Sequence, residues 1–207
     1  MDVPKPLQIR GFQVFKALLT PAEQSALVAD LRGVAESAPF FAPMTPSGKK
    51  MSVRMTSAGG LGWVTDRAGY RYQAHHPSGQ AWPDIPQAIL EIWYAVSGCT
   101  RRPDSCLVNF YGEDAKMGMH QDKDEGCFDW PVVSVSLGDD ALFRMGNVEK
   151  GGKTESIWLN SGDVVLMGGA ARLAYHGIDR IRFGSSSLLP KGGRINITLR
   201  AVDQSQS

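Results

Sequence analysis

Hydrophobic positions first recur at helical spacing. Thr20-Pro21-Ala22-Glu23 has the form of a capping box with proline at the first helical position. Behind it Leu27, Leu31, Val34 and Ala35 keep one apolar face until Ala38-Pro39 stops the helix. A second helix is predicted from near Pro86, with Ile89, Ile92, Trp93 and Val96 on its buried face and Gly98 as its terminator. From Ser105 onward the period becomes two. Strands are predicted over 106–111, 132–137, 141–145, 156–159, 163–167, 173–176 and 194–202, bounded by glycine and aspartate. Two helices followed by many short strands imply an α+β chain, mainly β: a β-sandwich or barrel with helices packed outside. The organisation read from this is an N-terminal extension (1–101), a β core (102–203) and a polar tail (204–207). Residues 40–83, between the helices, are too long for a simple connection and read as irregular.

At 207 residues the chain suits one domain with an elaborated extension, and 43% hydrophobic against 21% charged residues excludes wholesale disorder. Lysine and arginine number 22 against 21 acids, a net charge of +1, which excludes a polycationic tail binder or an acidic solvating protein. The charge is uneven, however. Residues 49–72 hold Lys49, Lys50, Arg54, Arg67 and Arg71 against Asp66 alone, a local net of +4, interleaved with Trp63, Tyr70 and Tyr72. Cations for phosphates and aromatic faces for bases make up a single-strand nucleic-acid surface; a solvated hairpin with its aromatics on the core has the same composition. Cys99, Cys106 and Cys127 show no CxxC spacing and read as free thiols. With free thiols, no long apolar run and no secretory leader pattern, the expectation is a soluble protein of a reducing compartment, the cytoplasm, with no membrane partner.

The sharpest chemical signal is His120-Gln121-Asp122 after a strand, with His176 lying 54 positions beyond Asp122. Two imidazoles and a carboxylate suit a non-haem Fe(II) oxygenase with open coordination positions; a hydrolytic zinc site needs the same three ligands. The chain has four histidines, and His75-His76 fall in a polar loop where they are expected at the surface. In Arg194-Ile195-Asn196-Ile197-Thr198-Leu199-Arg200 the alternation puts Arg194, Asn196, Thr198 and Arg200 on one face and the aliphatics on the other. If the polar face points inward, its guanidiniums need anions. Six residues at about 3.3 Å each set the arginines roughly 20 Å apart along the backbone, leaving room for a short dicarboxylate between their side chains. Asn109 and Tyr111, two apart on a strand, could hydrogen-bond the same ligand.

Together these segments resemble the AlkB family of Fe(II)/2-oxoglutarate-dependent dioxygenases, and its bacterial DNA-repair branch in particular. The resemblance is carried by Asn109-Phe110-Tyr111, His120-Gln121-Asp122-Lys123-Asp124-Glu125, Val133 to Gly138, Gly162 to Val165, Tyr175 to Ile178 and Arg194 to Arg200, and upstream by Leu61-Gly62-Trp63 and Gly69 to Tyr72. It implies a double-stranded β-helix (jelly roll) core with flanking N-terminal helices and a nucleotide-recognition lid over about 40–83. It implies Fe(II) on His120, Asp122 and His176, with 2-oxoglutarate on Asn109, Tyr111, Arg194, Asn196 and Arg200 and O2 as the second cosubstrate. Trp63 is then expected to stack on the target base, and Tyr70, Arg71 and Tyr72 to contact the backbone. Asp124 is expected to favour a cationic alkylated base. Lys150 stands where close relatives carry an arginine and lacks its bidentate fork.

The activity implied is oxidative demethylation of bases such as 1-methyladenine and 3-methylcytosine in single- or double-stranded DNA. 2-Oxoglutarate and O2 become succinate and CO2, formaldehyde is released, and the enzyme acts as a monomer in alkylation-damage repair. The alternatives are the same chemistry on RNA or protein, and an inert nucleic-acid-binding module. The role of Cys127 is not assigned, and Trp130 before Pro131 reads as packing.

Overall fold

The local signals produce the helices as expected. In the computed structural model, which describes residues 2–202, α1 spans Pro21–Ser37. The Thr20 hydroxyl accepts from the Glu23 amide at 3.3 Å, and the Glu23 carboxylate accepts from the Thr20 amide at 2.7 Å. Helix α2 spans Gln87–Ser97 and ends at Gly98, whose φ of 61° is the left-handed turn that favours glycine. Asp203 and the expected polar tail lie outside the described residues. Among the described residues no helix is long and apolar enough to cross a membrane.

Strands β1 (Leu7–Ile9), β2 (Phe12–Phe15), β3 (Arg54–Gly59), β6 (Ser105–Tyr111), β8 (Val132–Gly138), β11 (Val164–Met167) and β13 (Arg194–Arg200) form one antiparallel sheet in the order β1-β2-β11-β8-β13-β6-β3. Strands β7 (Met117–His120), β9 (Asp140–Met145), β10 (Glu155–Leu159) and β12 (His176–Arg182) form a second, ordered β10-β9-β12-β7. A hairpin of β4 (Gly62–Asp66) and β5 (Gly69–Gln73) stands apart from both.

Period two explains how the large sheet serves two cores. One face packs on the helices: Val133, Val135, Ile195, Ile197 and Leu199 share a cluster with Leu27, Leu31, Ile89 and Trp93. The opposite face meets the small sheet, where Phe12, Val14, Leu107 and Val165 pack with Phe143, Met145 and Ile178. That assignment answers the question left by the last strand. The aliphatics of β13 face the helices, and Arg194, Asn196, Thr198 and Arg200 point between the sheets, every one buried.

Several expectations need correction. The stretch 40–83 is not irregular, since it contains β3, β4 and β5; its short, glycine-punctuated, small-residue strands carry little apolar periodicity. The β1–β2 hairpin and β7 were also missed, for the same reason of length. Near 173–176 the strand begins at His176 rather than ending there, because a 3-10 turn at Gly169–Ala171 occupies the approach. His75 is exposed as expected, but His76 is buried. It packs edge-on against Phe41 and Trp82, with Nε2 at 2.9 Å from the Pro39 carbonyl.

Buried Asp139, in the β8–β9 turn, accepts hydrogen bonds from the amides of Gly184, Ser186 and Gly193 at 3.0, 2.9 and 2.6 Å. It thereby closes the loop that delivers Arg194. Asp139→Ala leaves three amides without their acceptor, so urea unfolding is expected to show a loss of about 2–4 kcal/mol; unchanged stability would mean that water replaces the carboxylate.

Candidate active site

A cavity of about 390 Å³ opens between the sheets. On its small-sheet wall His120 of β7 and His176 of β12 are direct cross-strand partners, with ring centroids 4.5 Å apart. The register shifts between His176 and Ile178, a bulge of the kind that re-aims side chains. Gly177 permits this close approach: a Cβ there would lie 2.7 Å from the Met117 carbonyl oxygen.

Each imidazole is oriented by a backbone carbonyl. Nδ1 of His120 lies 2.9 Å from the Gly118 oxygen, and Nδ1 of His176 lies 3.0 Å from the Ala174 oxygen. A carbonyl only accepts, so Nδ1 carries the proton and Nε2 presents its lone pair. Both Nε2 atoms face Asp122, at 3.8 Å from Oδ1 and 3.9 Å from Oδ2 respectively. Those separations are too long for hydrogen bonds and suit ligands that share one cation.

The protonation states suit a cation as well. Burial pushes His176 down to about 4, with the neighbouring His120 adding to the effect and Asp122 opposing it. Burial alone would raise the Asp122 carboxyl, but Arg200 and the two imidazoles outweigh it and hold it well below the usual carboxylate range. At neutral pH Asp122 is an anion and His176 is neutral, which is what a divalent metal requires of them.

The floor of the cavity comes from β13 and its neighbours. Registers Arg194↔Tyr111, Asn196↔Asn109 and Asn196↔Ser136 bring these side chains together across three strands. Asn196 donates to the Ser134 hydroxyl at 2.7 Å and accepts from Thr198 at 3.0 Å. Arg194 is 1% exposed, lies 5.1 Å from the Tyr111 ring and gives one N–H to the Ser136 hydroxyl, while among the described residues Nε and Nη1 have no hydrogen-bond partner. Burial lowers the Arg194 guanidinium and raises the Tyr111 hydroxyl, as expected of groups taken out of water. Arg200 differs: it forms ion pairs with Asp122 at 2.8 Å and Glu125 at 3.1 Å, while among the described residues its Nε and Nη1 make no hydrogen bond. Two buried guanidiniums with unused donors, beside a two-histidine, one-carboxylate triad, fit a dicarboxylate lying next to a metal.

At the mouth Trp63 and Tyr70 are stacked, with centroids 5.6 Å apart, and the Trp63 indole donates to exposed Asp124 at 2.8 Å. Tyr72 is buried rather than displayed, and its hydroxyl donates to Glu125. Arg71 forms a two-bond ion pair with Asp66 and does not line the cavity; Lys150 is exposed on the β9–β10 connection, also away from it. Sequence reasoning missed Glu125 and Arg172. Arg172 donates to the Asp122 and Trp130 carbonyls at 2.7 and 2.8 Å, and so holds the loop that carries the carboxylates. Glu125 was concealed in a charged run, and only its burial distinguishes it.

This fold and site define an oxygenase of the 2-oxoglutarate/Fe(II) class. The model of the 2OG-Fe(II) oxygenase superfamily matches residues 11–200. A Caulobacter vibrioides protein named alpha-ketoglutarate-dependent dioxygenase AlkB homolog is 52% identical, over 96% of this chain and 91% of its own. The Escherichia coli alpha-ketoglutarate-dependent dioxygenase AlkB is 39% identical, over 98% and 94%. The solved structure of OsALKBH1 superposes with a TM-score of 0.82 at 31% identity, over 95% of this chain and 99% of that one. The chain belongs to the AlkB family of Fe(II)/2-oxoglutarate-dependent dioxygenases, with iron, 2-oxoglutarate and O2 as its cofactor and cosubstrates.

Proposed function

We propose that this dioxygenase removes methyl groups from N-alkylated bases of nucleic acid, with cationic lesions such as 1-methyladenine and 3-methylcytosine in DNA as substrates and repair of alkylation damage as the task. The observation that carries this reading is the arrangement at the cavity mouth: a stacked Trp63–Tyr70 pair beside the exposed carboxylate of Asp124. An aromatic face takes a base of any identity, whereas a carboxylate beside it favours a base bearing positive charge, most strongly once water is excluded.

In this reading His120, Asp122 and His176 hold iron, and Arg194, Arg200, Asn109, Tyr111 and Asn196 hold 2-oxoglutarate. Bound there with O2, these groups supply an oxidation that turns an N-methyl into an N-hydroxymethyl group, which falls apart to formaldehyde and the restored base while 2-oxoglutarate leaves as succinate and CO2. The protein binds, orients and excludes water. A methyl on the pairing edge weakens the duplex locally, so the damaged base is cheaper to extrude than a normal one. The double-stranded β-helix core assigned to 102–203 is built on β6 to β13, and the extension (1–101) adds β1, β2 and β3 to the large sheet and carries the β4–β5 hairpin as a nucleotide-recognition lid. Exposed Lys49, Lys50 and Arg67 meet phosphates outside the cavity; Arg71 and Lys150 are restricted to such outer contacts. The working form is a cytoplasmic monomer.

The test is incubation with Fe(II), 2-oxoglutarate and a single-stranded DNA oligomer bearing 3-methylcytosine, beside the matched RNA oligomer. Cytosine is expected to reappear only when both iron and 2-oxoglutarate are present, and faster on DNA. Equal rates on RNA would remove the DNA preference. Succinate release with no restored base on either oligomer would overturn the substrate class.

A further inference from the structure

Glu125 belongs to neither the iron nor the 2-oxoglutarate set, yet its buried carboxylate lines the same cavity. Its side chain is 1% exposed, and its oxygens meet three separate parts of the chain. The Tyr72 hydroxyl of β5 donates to Oε1 at 2.8 Å, Nε of Arg200 at the end of β13 lies 3.1 Å from the same oxygen, and Nη2 of Arg172 lies 3.3 Å from Oε2. Two guanidiniums, of Arg200 and Arg172, lie against this buried carboxylate.

The neighbouring residue completes the pattern. Trp63 and Tyr72 are direct cross-strand partners in the β4–β5 hairpin. Asp124 accepts from the Trp63 indole while Glu125 accepts from the Tyr72 hydroxyl. Two consecutive carboxylates thus grip the two strands of one hairpin, one at the surface and one in the interior. Only the interior grip continues to Arg200, and through Arg200 to Asp122 at 2.8 Å.

We propose that Glu125 is a positioning residue that couples the β4–β5 hairpin to the cosubstrate arginine, so that hairpin closure and 2-oxoglutarate binding strengthen each other. This rests on the reading of Arg200 as a 2-oxoglutarate ligand. Among the described residues neither Nε nor Nη1 of Arg200 makes a hydrogen bond, and the guanidinium is held by ion pairs, Glu125 at 3.1 Å from Nε and Asp122 at 2.8 Å from Nη2. A ligand carboxylate on Nη1 needs that orientation. Glu125 keeps it only while Tyr72 and Arg172 hold the carboxylate from the other side. Whatever the hairpin contributes to 2-oxoglutarate affinity, 2-oxoglutarate returns to the hairpin by the same factor, since binding linkage is reciprocal.

The experiment uses the full chain with Mn(II) in place of iron under argon, so that no turnover occurs. 2-Oxoglutarate is titrated calorimetrically into the wild type, Tyr72→Phe, Glu125→Gln and the double variant, each first shown by thermal unfolding to be folded. Each single variant is expected to bind about fivefold more weakly or worse, and the double variant no more weakly than the weaker single one. In the wild type, 2-oxoglutarate is expected to slow amide exchange across residues 62–73, and in both single variants that slowing is lost. Multiplying losses in the double variant, wild-type affinity in Tyr72→Phe, or exchange in the wild-type hairpin that ignores the ligand would each overturn the coupling. A wild-type protein that does not bind 2-oxoglutarate at all would overturn the assignment of Arg200 as well, which separates the two failures.

Discussion

Arg194→Met is expected to destroy 2-oxoglutarate binding and to make the ligand-free protein more stable. Arg194 is buried, and among the described residues no carboxylate pairs with it; it meets the Ser136 hydroxyl and the Tyr111 ring, and two of its nitrogens make no hydrogen bond. Such a group costs folding energy and is retained for the anion it receives. Methionine fills a similar volume without charge, and exchanges of this kind are neutral to stabilising by about 1–4 kcal/mol. The lost charge-assisted bonds, at roughly 1.5–3 kcal/mol each, predict an affinity for 2-oxoglutarate lower by about 100-fold or more. Urea unfolding and calorimetry on one preparation check both halves. A destabilised variant that still binds 2-oxoglutarate would contradict the assignment. Arg200→Met is expected to behave oppositely, losing about 3–5 kcal/mol, because it takes from buried Asp122 its guanidinium partner and leaves Glu125 with Arg172 alone.

Asp122→Asn carries the second large effect. The substitution keeps the shape of the side chain and removes the one negative charge that faces both imidazoles. Misplacing a group that merely orients a ligand lowers metal affinity about 10- to 100-fold, so losing a ligand charge is expected to exceed 100-fold. Iron-dependent turnover should fall by roughly 10³-fold or more, the equivalent of several kcal/mol of lost electrostatic stabilisation. Metal content after dialysis and succinate release at saturating 2-oxoglutarate measure the two effects separately. Substantial turnover with a full complement of iron would show that Asp122 is not a ligand.

The two arginines show how far residue types carry the argument. Their alternation with isoleucine on β13 is visible in the chain, but period two says only that the faces differ, not which one is inside. The helices decided that by covering the aliphatic face. Tyr72 shows the reverse case. Its place among basic residues suggested contact with nucleic acid, whereas its hydroxyl is spent on Glu125 in the interior. Likewise Asp124 and Glu125 are adjacent and chemically alike, yet one is exposed and the other buried, because consecutive side chains leave the backbone in different directions.

What depends on near neighbours along the chain was legible in it: the capping box of α1, the glycine end of α2, the alternation of the long strands and the inventory of metal and anion ligands. The β1–β2 hairpin, β3 and β7 have no legible period because strands of three to six residues are too short to show one, whereas the β4–β5 hairpin is the second of the two readings that the composition of residues 49–72 allows. That His120 lies opposite His176, that Arg194 meets no counter-ion among the described residues, and that Glu125 joins β5 to β13 follow only from the folded chain. Those facts rest on strand register between segments far apart in the chain. Register is set by how the whole sheet buries its faces, a property that no local window of sequence contains.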